Sequence, residues 1–174
     1  MNQLLKIQQK IYTSTTLLQK VNEWKANNKK VVFTNGCFDI LHRGHIEYLA
    51  QAANCGDKLI VAVNADTSVK RLNKGNNRPL QDENSRALII AALSFVAAVI
   101  IFNEDTPLSI ITKITPNVLI KGGDYDAAIT NKLAKKYIVG SDIVKNNGGI
   151  VKVIPFVKGY STSKIEEKIR KSSS

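Results

Sequence analysis

His42 and His45 are the only two histidines among 174 residues, and they sit within one turn of each other. Before them runs Val31-Val-Phe-Thr34, a β-branched apolar stretch leading into Asn35-Gly36-Cys37-Phe38-Asp39. After them, from roughly Gly44 to Asn54, Ile46, Leu49, Ala50 and Ala53 fall on one helical face. A helix starting near Arg43 leaves its first N–H groups unpaired and sets its positive dipole end beside both imidazoles. The result is an anion site with two added donors at the end of a strand, suited to holding a nucleotide's phosphates during attack at phosphorus. Gly44 allows close backbone approach there, whereas Phe38 serves equally well as core. Two histidines at i, i+3 are also half a metal site. Zinc needs further ligands, and the only cysteines, Cys37 and Cys55, lie 18 apart without a CxxC pattern, so no protein-held metal is expected.

The surrounding elements must place this turn. Leu17, Leu18, Val21 and Trp24 have helical spacing ahead of the first strand, with Trp24 read as core. Leu59–Val63 forms a second strand that delivers Asn64 and Asp66 at its carboxyl end. Residues 67–82 read as a polar connection in which Lys70, Arg71, Lys74 and Arg78 are candidates for an acceptor's phosphate. A helix over about Glu83–Phe95 carries Arg86 toward either the site or the surface. Then come strand Val96–Phe102, a helix introduced by Thr106-Pro107, and strand Asn117–Ile120. That strand empties into Lys121-Gly-Gly-Asp-Tyr125. Residues 126–147 are part helical, Ile150–Ile154 is a fifth strand, and Ser161-Thr-Ser163 caps a last helix through Arg170. Alternating strands and helices predict an α/β, Rossmann-like, doubly wound parallel sheet of about five strands. Ligands bind beyond the strand carboxyl ends of such sheets, where the unusual polar segments all fall. The expected organisation is an N-terminal helical extension over 1–30, one domain over 31–170 and a frayed tail over 171–174.

Composition is that of a globular protein, with 44% hydrophobic and 22% charged residues. No apolar run is long enough for a membrane span, and the polar first residues do not read as a secretory signal. The cysteine usage fits a reducing cytoplasm. Of the net charge of +11, residues 1–30 contribute +5 and residues 158–174 contribute +3, leaving +3 for the 127 residues between. A nearly balanced core without nucleic-acid motifs argues for a solvated basic surface rather than a nucleic-acid partner.

The Gly36…Asp39…His42-x-Gly44-His45 pattern resembles the H-x-G-H signature of the nucleotidyltransferase superfamily, which shares ancestry with class I aminoacyl-tRNA synthetases. Gly159-Tyr-Ser-Thr-Ser163 is similar to that superfamily's second motif, a Ser/Thr-rich turn opening a late helix. The resemblance implies that Asn35, Gly36, Cys37, Phe38, Gly44, Gly159, Tyr160, Ser161, Thr162 and Ser163 bind the nucleotide. It implies that His42 and His45 are catalytic donors to the α-phosphate and the leaving oxygen. A phosphate acceptor needs no general base, so the work lies in orienting two polyanions. Mg²⁺ is expected to bridge the triphosphate oxygens, held mainly by the triphosphate itself.

Taken in order, the histidine segment, Val63-Asn-Ala-Asp66, Arg78-Pro79, Thr106-Pro107, Lys121-Gly-Gly-Asp-Tyr125, Ile138-Val-Gly140 and Gly159-Tyr-Ser-Thr162 resemble the heptose 1-phosphate adenylyltransferases over residues 16–170. The implied reaction joins ATP to D-glycero-β-D-manno-heptose 1-phosphate, giving ADP-heptose and pyrophosphate for lipopolysaccharide core synthesis. Asp39, Asn64, Asp66, Lys121 and Asp124 would then join the basic loop on the acceptor side. In many bacteria such a domain is the second half of a protein that begins with a sugar kinase, so a separate kinase is expected here. Homodimers are the expectation for the superfamily. Ala97 stands where the family usually has an acidic residue, and Ser163 where it commonly has Thr. The nearest alternative is a cytidylyltransferase acting on glycerol 3-phosphate or a phospho-alcohol, and a remoter one is a non-catalytic nucleotide- or RNA-binding module. Which base, which sugar and which oligomer remain open at this level.

Overall fold

In the computed structural model, which describes residues 2–72 and 78–172, six parallel strands form one sheet in the order β1-β4-β3-β2-β5-β6. In chain order the elements are α1 (Gln3–Gln8), β1 (Ile11–Tyr12), α2 (Ser14–Ala26), β2 (Val31–Gly36), α3 (Arg43–Ala53), β3 (Lys58–Asn64) and α4 (Asp66–Arg71). These are followed by α5 (Glu83–Ala91), β4 (Val96–Phe102), α6 (Leu108–Ile114), β5 (Val118–Gly122), α7 (Ser141–Asn146), β6 (Ile150–Ile154) and α8 (Thr162–Ser172).

The central strands read as unbroken apolar runs because both faces are covered. Successive side chains alternate between two cores. Phe33, Ile60, Ala98 and Leu119 point to one, against Leu17, Val21 and Trp24 of α2 and Ile110 and Ile111 of α6. Val32, Val61, Val99 and Val118 point to the other, against Leu49 and Ala52 of α3 and Ala87, Ile90 and Ala91 of α5. Trp24 is core, 7% exposed. The chain steps from β2 out to β3 and β4, then crosses back to β5 and β6 on the far side of β2. The order therefore reverses between β2 and β5, where doubly wound sheets open a crevice.

Several expectations change. The sheet has six strands, not about five: Ile11 and Tyr12 pair with Val99 and Ile100 at its edge, so residues 1–30 are not purely helical. Part of the connection expected over 67–82 is α4. The helix expected to reach Phe95 stops at Ala91, and the helix after Thr106 is capped at Pro107 with no side-chain bond from Thr106. Residues 171 and 172, expected in the tail, continue α8. Among the described residues, no helix is long and apolar enough to cross a membrane.

Candidate active site

A cleft of about 920 Å³ opens beyond the carboxyl ends of β2 and β5. The histidine turn forms one wall. β2 ends at Gly36, where a Cβ would stand 3.0 Å from the Phe38 ring. Phe38 itself has φ +50°, is 7% exposed and presents its ring to His45 at a centroid separation of 5.3 Å. Phe38 is thus both core and part of the cleft wall.

His42 is the N-cap of α3, in extended backbone, and its Nδ1 accepts the His45 backbone N–H at 3.4 Å. A ring that accepts through Nδ1 carries its neutral-state proton on Nε2 and offers that N–H as donor. The His42 and His45 rings stack at 3.8 Å with 17° between planes. Burial pushes the His42 pKa below its ordinary value of 6.5. Folding then favours the neutral ring, a contribution present above the unfolded-chain value and lost as pH falls toward the folded one. Melting temperature should fall between about pH 7 and pH 5 through this group. His42→Asn keeps a capping acceptor without a titrating ring and should lose less over the same range. Parallel melting curves for the two proteins would contradict this.

Gly44 lies inside the first turn of α3, and a Cβ there would stand 3.1 Å from the His42 imidazole and 3.2 Å from the Tyr160 Cβ. Gly44→Ala must push one of these aside. If the cleft is a catalytic site, displacing a positioned group by a fraction of an ångström should lower kcat/KM about 10²-fold with little loss of melting temperature. Unchanged kcat/KM would show that the turn tolerates the displacement.

Three further walls converge. From β5, Lys121 donates from Nζ to Asn35 Oδ1 at 2.7 Å and lies over the Tyr125 ring at 5.2 Å. Asn64, at the end of β3, is buried and donates to Ser68 Oγ at 3.0 Å. From the late turn, Ser161, Thr162 and Ser163 line the cleft, while Arg43 donates to the Tyr160 hydroxyl at 3.1 Å and covers its ring. Asp39, expected on the acceptor side, is 2% exposed. Its Oδ1 accepts from the Leu80 and Gln81 N–H groups at 2.8 and 3.0 Å, and Oδ2 faces Arg78 at 3.6 Å.

Other expected site residues lie elsewhere. Asp66, Lys70, Arg71, Asp124 and Gly159 do not line the cleft. Asp66 is bound by Arg86, and Arg71 is held by Asp105 and the Asn103 carbonyl. Lys74 lies outside the described residues. Arg86, left between site and surface, is at neither: it is fully buried and donates to Cys37 O, Gln81 O and Asp66 Oδ1. Sequence reasoning missed Tyr48, Lys132, Lys135, Tyr137 and Phe156 in the cleft wall. For Phe156 a signal existed. Gly122-Gly123 leaves the space that its ring occupies, and a Cβ at Gly123 (φ +81°) would stand 2.1 Å from it.

Residues 33–168 match the family model described as Cytidylyltransferase-like. The chain is 48% identical over 161 residues to the bifunctional protein HldE of Koribacter versatilis, covering 92% of this chain and 31% of that protein. It is 53% identical over 146 residues to the bifunctional protein HldE of Campylobacter jejuni, covering 84% and 29% respectively. The chain thus spans about a third of the length of the curated relatives it matches. Among solved structures it is similar to a lipopolysaccharide core biosynthesis protein from Thermoplasma volcanium. That match has 30% identity and a TM-score of 0.57, covering 76% of this chain and 99% of that one. A pantoate-beta-alanine ligase from Francisella tularensis, with a TM-score of 0.56 but 15% identity, covers 92% of this chain and 76% of that one and shares the fold. The matched span runs from within β2 to within α8 and contains both turns that face the cleft, and on that match the chain belongs to the cytidylyltransferase-like family.

Proposed function

We propose that the chain transfers AMP from ATP to D-glycero-β-D-manno-heptose 1-phosphate, giving ADP-heptose and pyrophosphate. The observation that carries nucleotidyl transfer is the pair of stacked imidazoles at the N-terminus of α3, opening on a cleft that a hydroxyl-rich turn also lines. The similarity to HldE proteins over most of this chain supports the heptose substrate.

In this reading the acceptor phosphate is the nucleophile, already anionic, and attacks the α-phosphorus while the bond to the pyrophosphate oxygen breaks in line. His42, donating through Nε2, and His45 stabilise the charge that builds on the α-phosphate and on the departing oxygen. Ser161, Thr162 and Ser163, with the first N–H groups of α8, hold the β- and γ-phosphates. Mg²⁺ enters as part of the MgATP substrate and offsets the triphosphate charge. This suits a cleft whose lining carboxylates are engaged by protein cations: Asp39 faces Arg78, and Asp105 pairs with Arg71. Lys121 takes the acceptor's phosphate, with Lys132 and Lys135 farther along the wall; Asn64 serves a sugar hydroxyl. The heptose 1-phosphate would come from a sugar kinase.

ATP labelled separately at the α- and γ-phosphorus tests the bond that breaks. The α label should appear in the sugar nucleotide and the γ label in pyrophosphate. A γ label on the sugar would mean phosphoryl transfer and would overturn this assignment.

A further inference from the structure

The two turns that face the cleft, at His42 and at Ser161, are more than 100 residues apart in sequence and belong to elements of unequal anchorage. α3 buries Gly44, Tyr48, Leu49 and Ala52. α8, which carries the hydroxyl turn, has no buried residue along its 11 positions. Packing alone therefore holds α8 weakly, since helices in proteins draw most of their stability from a buried face. Two polar links span the gap: Arg43, at the start of α3, donates to the Tyr160 hydroxyl at 3.1 Å on the exposed side, and a less exposed chain runs through Arg78. Glu166 Oε2, one turn into α8, accepts from Arg78 Nη2 at 2.7 Å, and Arg78 Nη1 stands 3.6 Å from Asp39 Oδ2 in the histidine loop. The Arg78 side chain is only 13% exposed and Glu166 25%, so solvent screens this link less than an ordinary surface pair.

We propose that Glu166 is a positioning residue: through Arg78 and Asp39 it braces the Ser161–Ser163 turn against the histidine turn and sets the spacing in which a triphosphate is held. This rests on the assignment of the cleft to a nucleoside triphosphate. It also gives Arg78 a role different from the acceptor contact expected from sequence, because its guanidinium is already committed to two carboxylates. Asp39 is in turn fixed from the other side by the Leu80 and Gln81 N–H groups, so the brace ends on a rigid loop.

The test is Glu166→Gln, which keeps shape and removes the charge, with Glu167→Gln as the comparison. Glu167 pairs with Lys171 within α8 itself, 2.6 Å apart, and touches nothing across the cleft in that pair. Amide hydrogen exchange over residues 161–172 should quicken at least tenfold in Glu166→Gln while α3 keeps its wild-type protection, a tenfold change being the scale expected for one charge-assisted bond. The KM for MgATP should rise about tenfold with kcat changed less than threefold, and Glu167→Gln should leave both near wild type. Wild-type exchange in Glu166→Gln overturns the brace, as does an equal KM effect in the two variants. If wild-type protein neither binds nor turns over nucleotide, the functional assignment fails instead; quickened exchange confined to α8 would then still support the brace, and unchanged exchange would still overturn it.

Discussion

His45→Ala should lower kcat about 10²- to 10³-fold while the protein still folds. This is the scale measured when one preorganised donor to a developing oxyanion is removed. The expectation follows from where the ring sits. His45 lies in the first turn of α3, stacked on His42 at 3.8 Å and met edge-on by Phe38, so its orientation is set before any ligand arrives. Such a donor acts on the transition state more than on bound substrate, so the loss should appear in kcat and kcat/KM together rather than in KM alone. The ring is half-buried and is not the cap of α3, which is His42. Truncating it should therefore leave thermal stability close to wild type. Near-normal turnover in this variant would remove the histidine pair from the mechanism.

The second large effect concerns folding. Arg86→Met should destabilise the protein by about 3–5 kcal/mol in urea unfolding, the cost of leaving two carbonyls without a donor, at about 1–3 kcal/mol each, and a half-buried carboxylate without its cation. Arg86 is fully buried and engages three oxygens: Asp66 Oδ1 at 2.7 Å, Cys37 O at 2.7 Å and Gln81 O at 2.9 Å. Methionine fills much of the volume but offers no donor, so both carbonyls lose their partner. Asp66 would keep its charge beside Glu83, whose Oε2 accepts the Asp66 N–H at 2.7 Å. The comparison is Arg43→Met, which removes only exposed contacts, the i, i+4 pair with Glu47 and the bond to the Tyr160 hydroxyl, and should cost far less. Equal losses in the two variants would contradict the network reading. Because the Cys37 carbonyl belongs to the histidine loop, the network also links the stability of α5 to the geometry of the cleft.

What was legible in the sequence divides along physical lines. The continuous apolar run Val31–Thr34 announced a strand buried on both faces, and the structure places β2 over Val31–Gly36 and β4 on the expected Val96–Phe102. The parallel, doubly wound arrangement followed from alternation alone. The two-residue β1 carries too short a pattern to be read, and only its pairing with β4 identifies it. α4 was concealed because Asp66–Arg71 is polar and short, with Ser68 and Val69 alone buried. The histidine turn was legible because its geometry is local: a cap, a glycine and two rings within four residues. Arg86 was not, because a basic residue on a helix face looks alike whether it meets water or three buried oxygens. Lys132 and Tyr137 come from irregular segments whose course depends on tertiary contacts, such as the Lys132–Asp142 pair at 2.6 Å and the Tyr137 hydroxyl donating to the same carboxylate. The basic residues 70 and 71 pointed to phosphate by type, and the fold turns Arg71 toward Asp105 instead.

The most direct measurement of the central claim is pyrophosphate release with Mg²⁺, offering ATP or CTP against D-glycero-β-D-manno-heptose 1-phosphate or glycerol 3-phosphate. Turnover with ATP and the heptose 1-phosphate, and with no other pair, is the predicted result. Turnover with CTP and glycerol 3-phosphate would keep the fold and the histidine chemistry but contradict the heptose adenylyltransferase, and silence across all four pairs would contradict nucleotidyl transfer to either acceptor.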